Sequence, residues 1–250
     1  MEALKGFCSR CQAEGVEEIA AVGTNALRLA RDADQFIHQV SKECGISPRI
    51  ISEKEEALLS FVSVQKDPCM PQAAVVIDVG GGSTECVFSH RQDQALSLQA
   101  ISLPLGAVNL TEEFLLHDPP SRHELLKLQA EIEKALYRMP PAIGGELVGI
   151  GGTSATLGSI QLGLDRFDRE KIHGLQLTID ELKARVKELQ GRDLVARRQI
   201  RGLPPERADI ILAGTMIILS TMEKLAINGI HISCHGIRYG LFYQRFMGAE

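Results

Sequence analysis

The sequence predicts an α/β fold, and three observations lead there. Strand-like and helix-like patterns alternate along all 250 residues instead of segregating into blocks. A continuous apolar run, Ala73 to Val79, has the texture of a buried strand and is followed by glycines and further strand-like segments. Two capping boxes, Ser121 with Glu124 and Thr178 with Glu181, mark the starts of helices whose apolar residues recur at helical spacing. Hydrophobic residues make up 44% and charged residues 24% of the chain, which excludes disordered and fibrous classes. The length suits one large domain or two small ones, with enough chain for a real core.

Taken in order, Met1 to Gln12 reads as a short helix and Glu17 to Val22 as a strand. Asp32 to Cys44 is helical, with Phe36, Ile37 and Val40 on one side; Arg49 to Ser52 is strand-like. Lys54 to Val62 is a helix carrying Leu58, Leu59 and Phe61. The polar stretch from Lys66 to Pro71, with two prolines, reads as a connection between domains, so residues 1–72 and 73–250 are expected to form two units. After Ala73 to Val79, Thr84 to Phe88 is a strand ending at Ser89-His90-Arg91, and Leu96 to Leu103 completes a three-stranded meander. Ser121 opens a helix with Leu125, Leu128, Ile132, Leu136 and Met139 on its apolar stripe. Glu146 to Ile150 is a strand running into Gly151-Gly152-Thr153 and a helix. Thr178 heads another helix, Ala208 to Lys224 forms a long apolar one, and Ile230 to Ser233 is a last strand.

Charge and composition restrict function. The 27 Lys and Arg against 32 Asp and Glu give a net charge of −5, which argues against nonspecific wrapping of nucleic acid or anionic membrane. It does not argue against a phosphate ligand, which local amides and a few cations hold. No segment approaches the roughly 18 to 20 apolar residues of a membrane span; Ile210 to Leu219 is interrupted by Gly214 and Thr215. The first residues lack the apolar core of an export signal, and six scattered cysteines are no disulfide framework, so a cytoplasmic location is expected.

The segment Val75-Val76-Ile77-Asp78-Val79-Gly80-Gly81-Gly82-Ser83-Thr84-Glu85 carries the strongest chemical signal. A buried strand delivers Asp78 to its C-terminal end, and three glycines let the backbone turn with its amides inward. Such a turn makes an anion nest for phosphate oxygens, with the Ser83 hydroxyl as a further donor. Asp78 and Glu85 flank it as hard carboxylates that suit Mg²⁺. Neighbouring motifs fail: there is no Walker lysine, Gly81-Gly82-Ser83-Thr84-Glu85 lacks the last glycine of a nucleophile elbow, and Gly149 to Ser154 lacks the third glycine of a dinucleotide loop. Glu53-Lys54-Glu55-Glu56 opens a helix, where acids complement the helix dipole; facing a phosphate cleft, one of them is suited to activating water. Arg28 is placed either on a helix surface or forked onto phosphate oxygens. Cys8-x-x-Cys11 has no second pair, and His231, Cys234 and His235 are three soft ligands close together of which, in a strand, His231 and Cys234 project to opposite faces, so no zinc is expected.

These letters resemble the exopolyphosphatase/guanosine pentaphosphate phosphohydrolase family. The matching stretches are AVGTNALRLARDADQF (Ala21 to Phe36), ISEKEEALLSF (Ile51 to Phe61), VVIDVGGGSTE (Val75 to Glu85), SLPLGAVNLTEEF (Ser102 to Phe114), VGIGGTSATL (Val148 to Leu157), HGLQLT (His173 to Thr178), LPPERADIILAG (Leu203 to Gly214) and SCHGIRYGL (Ser233 to Leu241). The resemblance implies a two-lobed actin–hexokinase-like, ribonuclease H-like fold with the site between the lobes. It implies hydrolysis of the terminal phosphoanhydride of inorganic polyphosphate or guanosine pentaphosphate with Mg²⁺, in an enzyme class that commonly homodimerises. Glu56 matches the family's catalytic base, and Asp78 the carboxylate that positions water or Mg²⁺, with Glu85 as its metal partner. Gly80, Gly81, Gly82 and Ser83 match a phosphate loop; Arg28 and Arg207 fall on polyanion-contacting arginines; Gly151, Gly152 and Thr153 line the cleft.

The family also normally carries a first phosphate loop, Asp-x-Gly-Ser-Asn-Ser/Thr, upstream of the helix that Met1-Glu2-Ala3 matches. The first lobe is therefore expected to be truncated at its N-terminus. The alternative function is accordingly an inactive lobe that binds phosphate-rich ligands or a partner subunit; an actin-fold kinase or ATPase is a third, disfavoured by Glu56. The family usually has Asp where Cys234 stands, Glu at Tyr239 and Gly at Glu53, and its longer members add a helical C-terminal extension.

Overall fold

The computed structural model describes residues 1–92, 95–140 and 144–248. Helix α1 (Glu2–Ala13) precedes strand β1 (Val22–Gly23), α2 (Asn25–Leu29) and α3 (Ala33–Cys44), which Gly45 ends in the left-handed conformation. Strand β2 (Arg49–Ile50) pairs in parallel with β1, Val22 opposite Arg49. β2 is shorter than the sequence suggests, and β1 overlaps the expected Glu17 to Val22 strand only at Val22. Ser52 is drawn out of β2 because its hydroxyl and Glu55 form a capping box that starts α4 (Glu53–Gln65).

Strands β3 (Ala73–Val79), β4 (Thr84–Gln92) and β5 (Ala95–Leu103) form the expected antiparallel meander. β4 does not stop at Ser89-His90-Arg91: its backbone ladder to β5 continues through Ser89 opposite Leu98 and His90 opposite Ser97, and pairing outweighs side-chain polarity. Helices α5 (Ala107–Phe114) and α6 (Arg122–Leu136) follow, α6 headed by the Ser121–Glu124 capping box. Then come β6 (Glu146–Ile150), α7 (Gly151–Leu162), α8 (Arg169–Ile172), β7 (Gln176–Thr178), α9 (Ile179–Gln190) and α10 (Leu194–Arg197). Helix α11 (Ile211–Leu225) begins three residues later than its apolar pattern, because Pro204 and Pro205 impose a 3-10 turn over Pro205–Arg207. Strand β8 (Gly229–Ile232) and helix α12 (Ile237–Phe246) complete the order.

The large sheet runs β5-β4-β3-β6-β8-β7, with β3, β6 and β8 parallel. Strand alternation divides β3 between two cores. Val75, Ile77 and Val79 point into the main core with α6, α7 and the almost wholly buried α11. Val76 points the other way, onto Ala57, Phe61 and Val64 of α4, together with Val87 of β4 and Val148 and Ile150 of β6. Helix α12 lies along α4 at contact distance: Gly240 approaches so closely that a Cβ there would run into the Leu59 carbonyl. No helix among the described residues is long and apolar enough to cross a membrane.

Candidate active site

Asp78 shares the face of Val76 by the two-residue period of β3, so its carboxylate emerges on the α4 side at the parallel strand's C-terminal end. Glu85 sits directly opposite it in the β3–β4 register and projects to the same side. Burial, then the Glu85 charge, then the Glu56 charge push the Asp78 carboxyl up to about 6. Glu85 is also raised, chiefly by burial, with Glu56 and Glu53 adding to it, while hydrogen bonds from Ser83 and Ser102 act the other way. Ser102 Oγ donates to Glu85 Oε1 at 3.2 Å.

Between these carboxylates the chain turns through Gly80-Gly81-Gly82-Ser83. The turn is closed by Gly80 N–H donating to the Ser83 carbonyl at 2.9 Å. Its carbonyls are spent on the first turn of α5: Ala107 N–H donates to Gly80 O, and Val108 and Asn109 N–H to Gly81 O, at 2.9, 3.0 and 3.2 Å. Only glycine at 106 permits this contact, since a Cβ there would strike the Gly81 carbonyl. The amides of Gly81, Gly82 and Ser83 have no partner among the described residues, and Gly81 and Gly82 are exposed. The result is a set of outward amides beside two carboxylates.

The β6–α7 junction closes the other side, because Ile150 is the parallel partner of Asp78. Gly151 has φ +76°, and a Cβ there would occupy the place of Asp78 Oδ1. The Arg207 guanidinium lies against Gly152, again where a side chain would stand. Thr153 is buried and fastens the junction by donating from Oγ1 to the Val79 carbonyl at 2.9 Å.

Glu56 lies in the first turn of α4. Its Oε2 accepts from Arg28 Nη1 at 2.7 Å, and the same nitrogen reaches the Ile51 carbonyl at 2.9 Å. Both side chains are about one-fifth exposed, 19% and 20%, so the pair borders solvent without dissolving into it. A cavity of about 410 Å³ lies alongside, between α4 and the β4–β5 face, with Glu53, Lys54, Glu85 and Ser102 among its lining.

All the residues singled out from sequence thus fall in two groups. Asp78, Glu85, Gly80, Gly81, Gly82, Ser83, Gly151, Gly152, Thr153 and Arg207 surround one strand end; Arg28 and Glu56 form a pair of which the Glu56 charge is felt at Asp78. Ser102 and Asn109 are site neighbours that the sequence reading does not pick out, and the meander's register, Glu85 opposite Ser102, is the signal that places the first. His231 hydrogen-bonds Glu146 at 3.0 Å, away from Cys234. Cys8 and Cys11 are free thiols.

Residues 1–247 match the Ppx/GppA phosphatase family. The chain is 28% identical over 232 residues to a bifunctional 3-dehydroquinate synthase/phosphatase of Fusobacterium nucleatum, covering 89% of this chain and 34% of that protein. It is 27% identical over 244 residues to exopolyphosphatase 1 of Mycobacterium leprae, covering 96% of this chain and 71% of that one. It therefore spans about a third of the first relative and under three-quarters of the second. The crystal structure of the Aquifex aeolicus Ppx/GppA family member superposes with a TM-score of 0.87 at 31% identity, over 98% of this chain and 79% of that one.

Proposed function

This chain belongs to the Ppx/GppA phosphatase family and has its two-lobed α/β fold of the actin–hexokinase class, and from that premise we propose that it hydrolyses the terminal phosphoanhydride of inorganic polyphosphate or guanosine pentaphosphate. The observation that carries the proposal is the meeting of free amides at 81–83 with Asp78, Glu85, Arg207 and the Arg28–Glu56 pair.

The amides of Gly81, Gly82 and Ser83 and the guanidinium of Arg207 hold non-bridging oxygens of the terminal phosphate. Arg28 spends only Nη1 on Glu56 and Ile51, which leaves its other donors for the polyanion while it fixes the Glu56 carboxylate. Glu56 accepts a proton from the attacking water as the new P–O bond forms and the bridging P–O bond breaks, the shortened chain leaving with the bridging oxygen. Two facing carboxylates, each raised by burial and by neighbouring negative charge, are a donor set that fits Mg²⁺. Bound between Asp78 and Glu85, Mg²⁺ would neutralise charge on the phosphate oxygens.

Phosphate release from polyphosphate and guanosine pentaphosphate, measured with Mg²⁺ for the wild type and Glu56→Gln, tests the reading. The expected loss in the variant is about 10²–10⁴-fold in kcat with KM nearly unchanged. Full activity in Glu56→Gln overturns the base assignment. A folded wild type that binds polyphosphate without cleaving it leaves the phosphate-binding reading in its place.

A further inference from the structure

A second cluster lies at the other end of α4, and it is independent of the hydrolase reading. Asp67 stands two residues beyond the helix, with its side chain 1% exposed. Its Oδ2 is 3.0 Å from His173 Nε2 and 2.8 Å from His235 Nδ1. All three atoms are buried, and the imidazoles meet Asp67 Oδ2 at ion-pair distance without the angles of a hydrogen bond. Two imidazole nitrogens that converge on one buried carboxylate oxygen at these distances, off hydrogen-bond angles, are arranged as ligands of a shared cation are. Cys69 Sγ completes the group: ligand atoms of Asp67, Cys69 and His173 all lie within 4.8 Å of one another.

We propose that Asp67, Cys69, His173 and His235 form a binding site for a borderline-soft divalent cation of the zinc class. One carboxylate oxygen, two imidazole nitrogens and a thiolate are a tetrahedral zinc or cobalt set, whereas Mg²⁺ takes oxygen donors. Zinc bonds of about 2.0–2.1 Å put neighbouring oxygen and nitrogen ligands roughly 3.3 Å apart, so the two Asp67–imidazole spacings open by a few tenths of an ångström, while His235, which lies outside the 4.8 Å group of Asp67, Cys69 and His173, closes on the others. The second sphere is partly built. Asp67 Oδ1 accepts the Cys69 N–H at 3.0 Å, which holds the carboxylate with Oδ2 directed inward. His235 is clamped between the His173 and Tyr239 rings, at centroid distances of 4.3 and 3.7 Å.

Cys234 N–H donates to His173 Nδ1 at 3.2 Å, which puts the proton of the neutral ring on Nε2. On loading, that proton moves to Nδ1, the long Cys234 contact opens, and the Cys69 thiol releases its proton to solvent. The site pins three connections at once: the connector after α4, the loop after α8 and the segment between β8 and α12. It lies roughly 16 Å along α4 from Glu56, from the helical rise per residue.

Cobalt titration of the full chain, stripped with a chelator and supplied with Mg²⁺ to fill oxygen-only sites, tests the proposal. One equivalent of Co²⁺ is expected to bind with visible d–d bands and a near-ultraviolet thiolate charge-transfer band. Cys69→Ser, checked for folding by circular dichroism, should lose the charge-transfer band, and His235→Ala should weaken binding about tenfold or more. Asp78→Asn should keep the full spectrum, which separates this site from the catalytic carboxylates. A wild type without the thiolate band, or a Cys69→Ser protein with an unchanged spectrum, overturns the assignment and leaves a carboxylate–imidazole proton network.

Discussion

Asp78 carries a carboxyl whose ionisation the fold opposes, since burial and the Glu85 and Glu56 charges raise it to about 6. The consequence for stability has a definite sign. The protonated form is favoured by folding, so this group's contribution is fully present below the ordinary aspartate range, near pH 4, and is lost as pH rises through about 6. Without divalent cation, Asp78→Asn should be more stable than the wild type at pH 7, on the order of 2–3 kcal/mol. The gap should narrow as pH falls and vanish near pH 4; denaturant unfolding across that range measures it. A gap that widens on acidification would contradict the assigned environment. The residue scale is also where the sequence is most legible. Asp78, the glycines and Glu85 are contiguous, so a single stretch announces them. Ser102 contributes to the same carboxylate but comes from another strand, and only the register brings it there. The expectation of no zinc rests on Cys8-x-x-Cys11 and on the His231–His235 segment; Asp67, Cys69 and His173 lie far from His235 in the chain, and no spacing in the letters joins the four.

Elements follow local signals where those signals are strong. The capping boxes at Ser121 and Thr178 appear as read, each with its reciprocal hydrogen bonds, because both partners lie three residues apart in one segment. Where tertiary pairing decides, local reading falls short: β4 outruns its polar end along β5, and β1 and β2 keep only two residues each. Helix α4 is anchored by a third capping box, and Ser52→Ala should cost about 1 kcal/mol in denaturant unfolding. That variant should also reduce activity, since the first turn it loosens carries Glu56. At the α4–α12 contact the demand is steric. Gly240→Ala places a methyl against the Leu59 carbonyl and should destabilise by about 1–3 kcal/mol, read as a fall in Tm. An unchanged Tm would show that α12 slides freely on α4.

At the scale of the whole molecule, the class was readable from the alternation of patterns, but the route of the chain was not. Helix α12, about 170 residues downstream of α4 in sequence, is its neighbour in space, and no local pattern encodes that pairing. Cation binding is the other whole-molecule property. If Asp78 and Glu85 hold Mg²⁺, the ion at about one hundred times its dissociation constant should stabilise the wild type by about 2.7 kcal/mol, and Asp78→Asn should lose most of that gain. Thermal scans with and without Mg²⁺ decide it; equal shifts in both proteins would place the ion elsewhere. The close contact of α12 with α4 also has a consequence for synthesis. The ribosome delivers roughly 170 residues between the two helices, which at common elongation rates takes about nine to thirty-four seconds. For that interval the nascent polypeptide displays the Leu59 side of α4 without its cover, a target for chaperones until Gly240 arrives to seat against it.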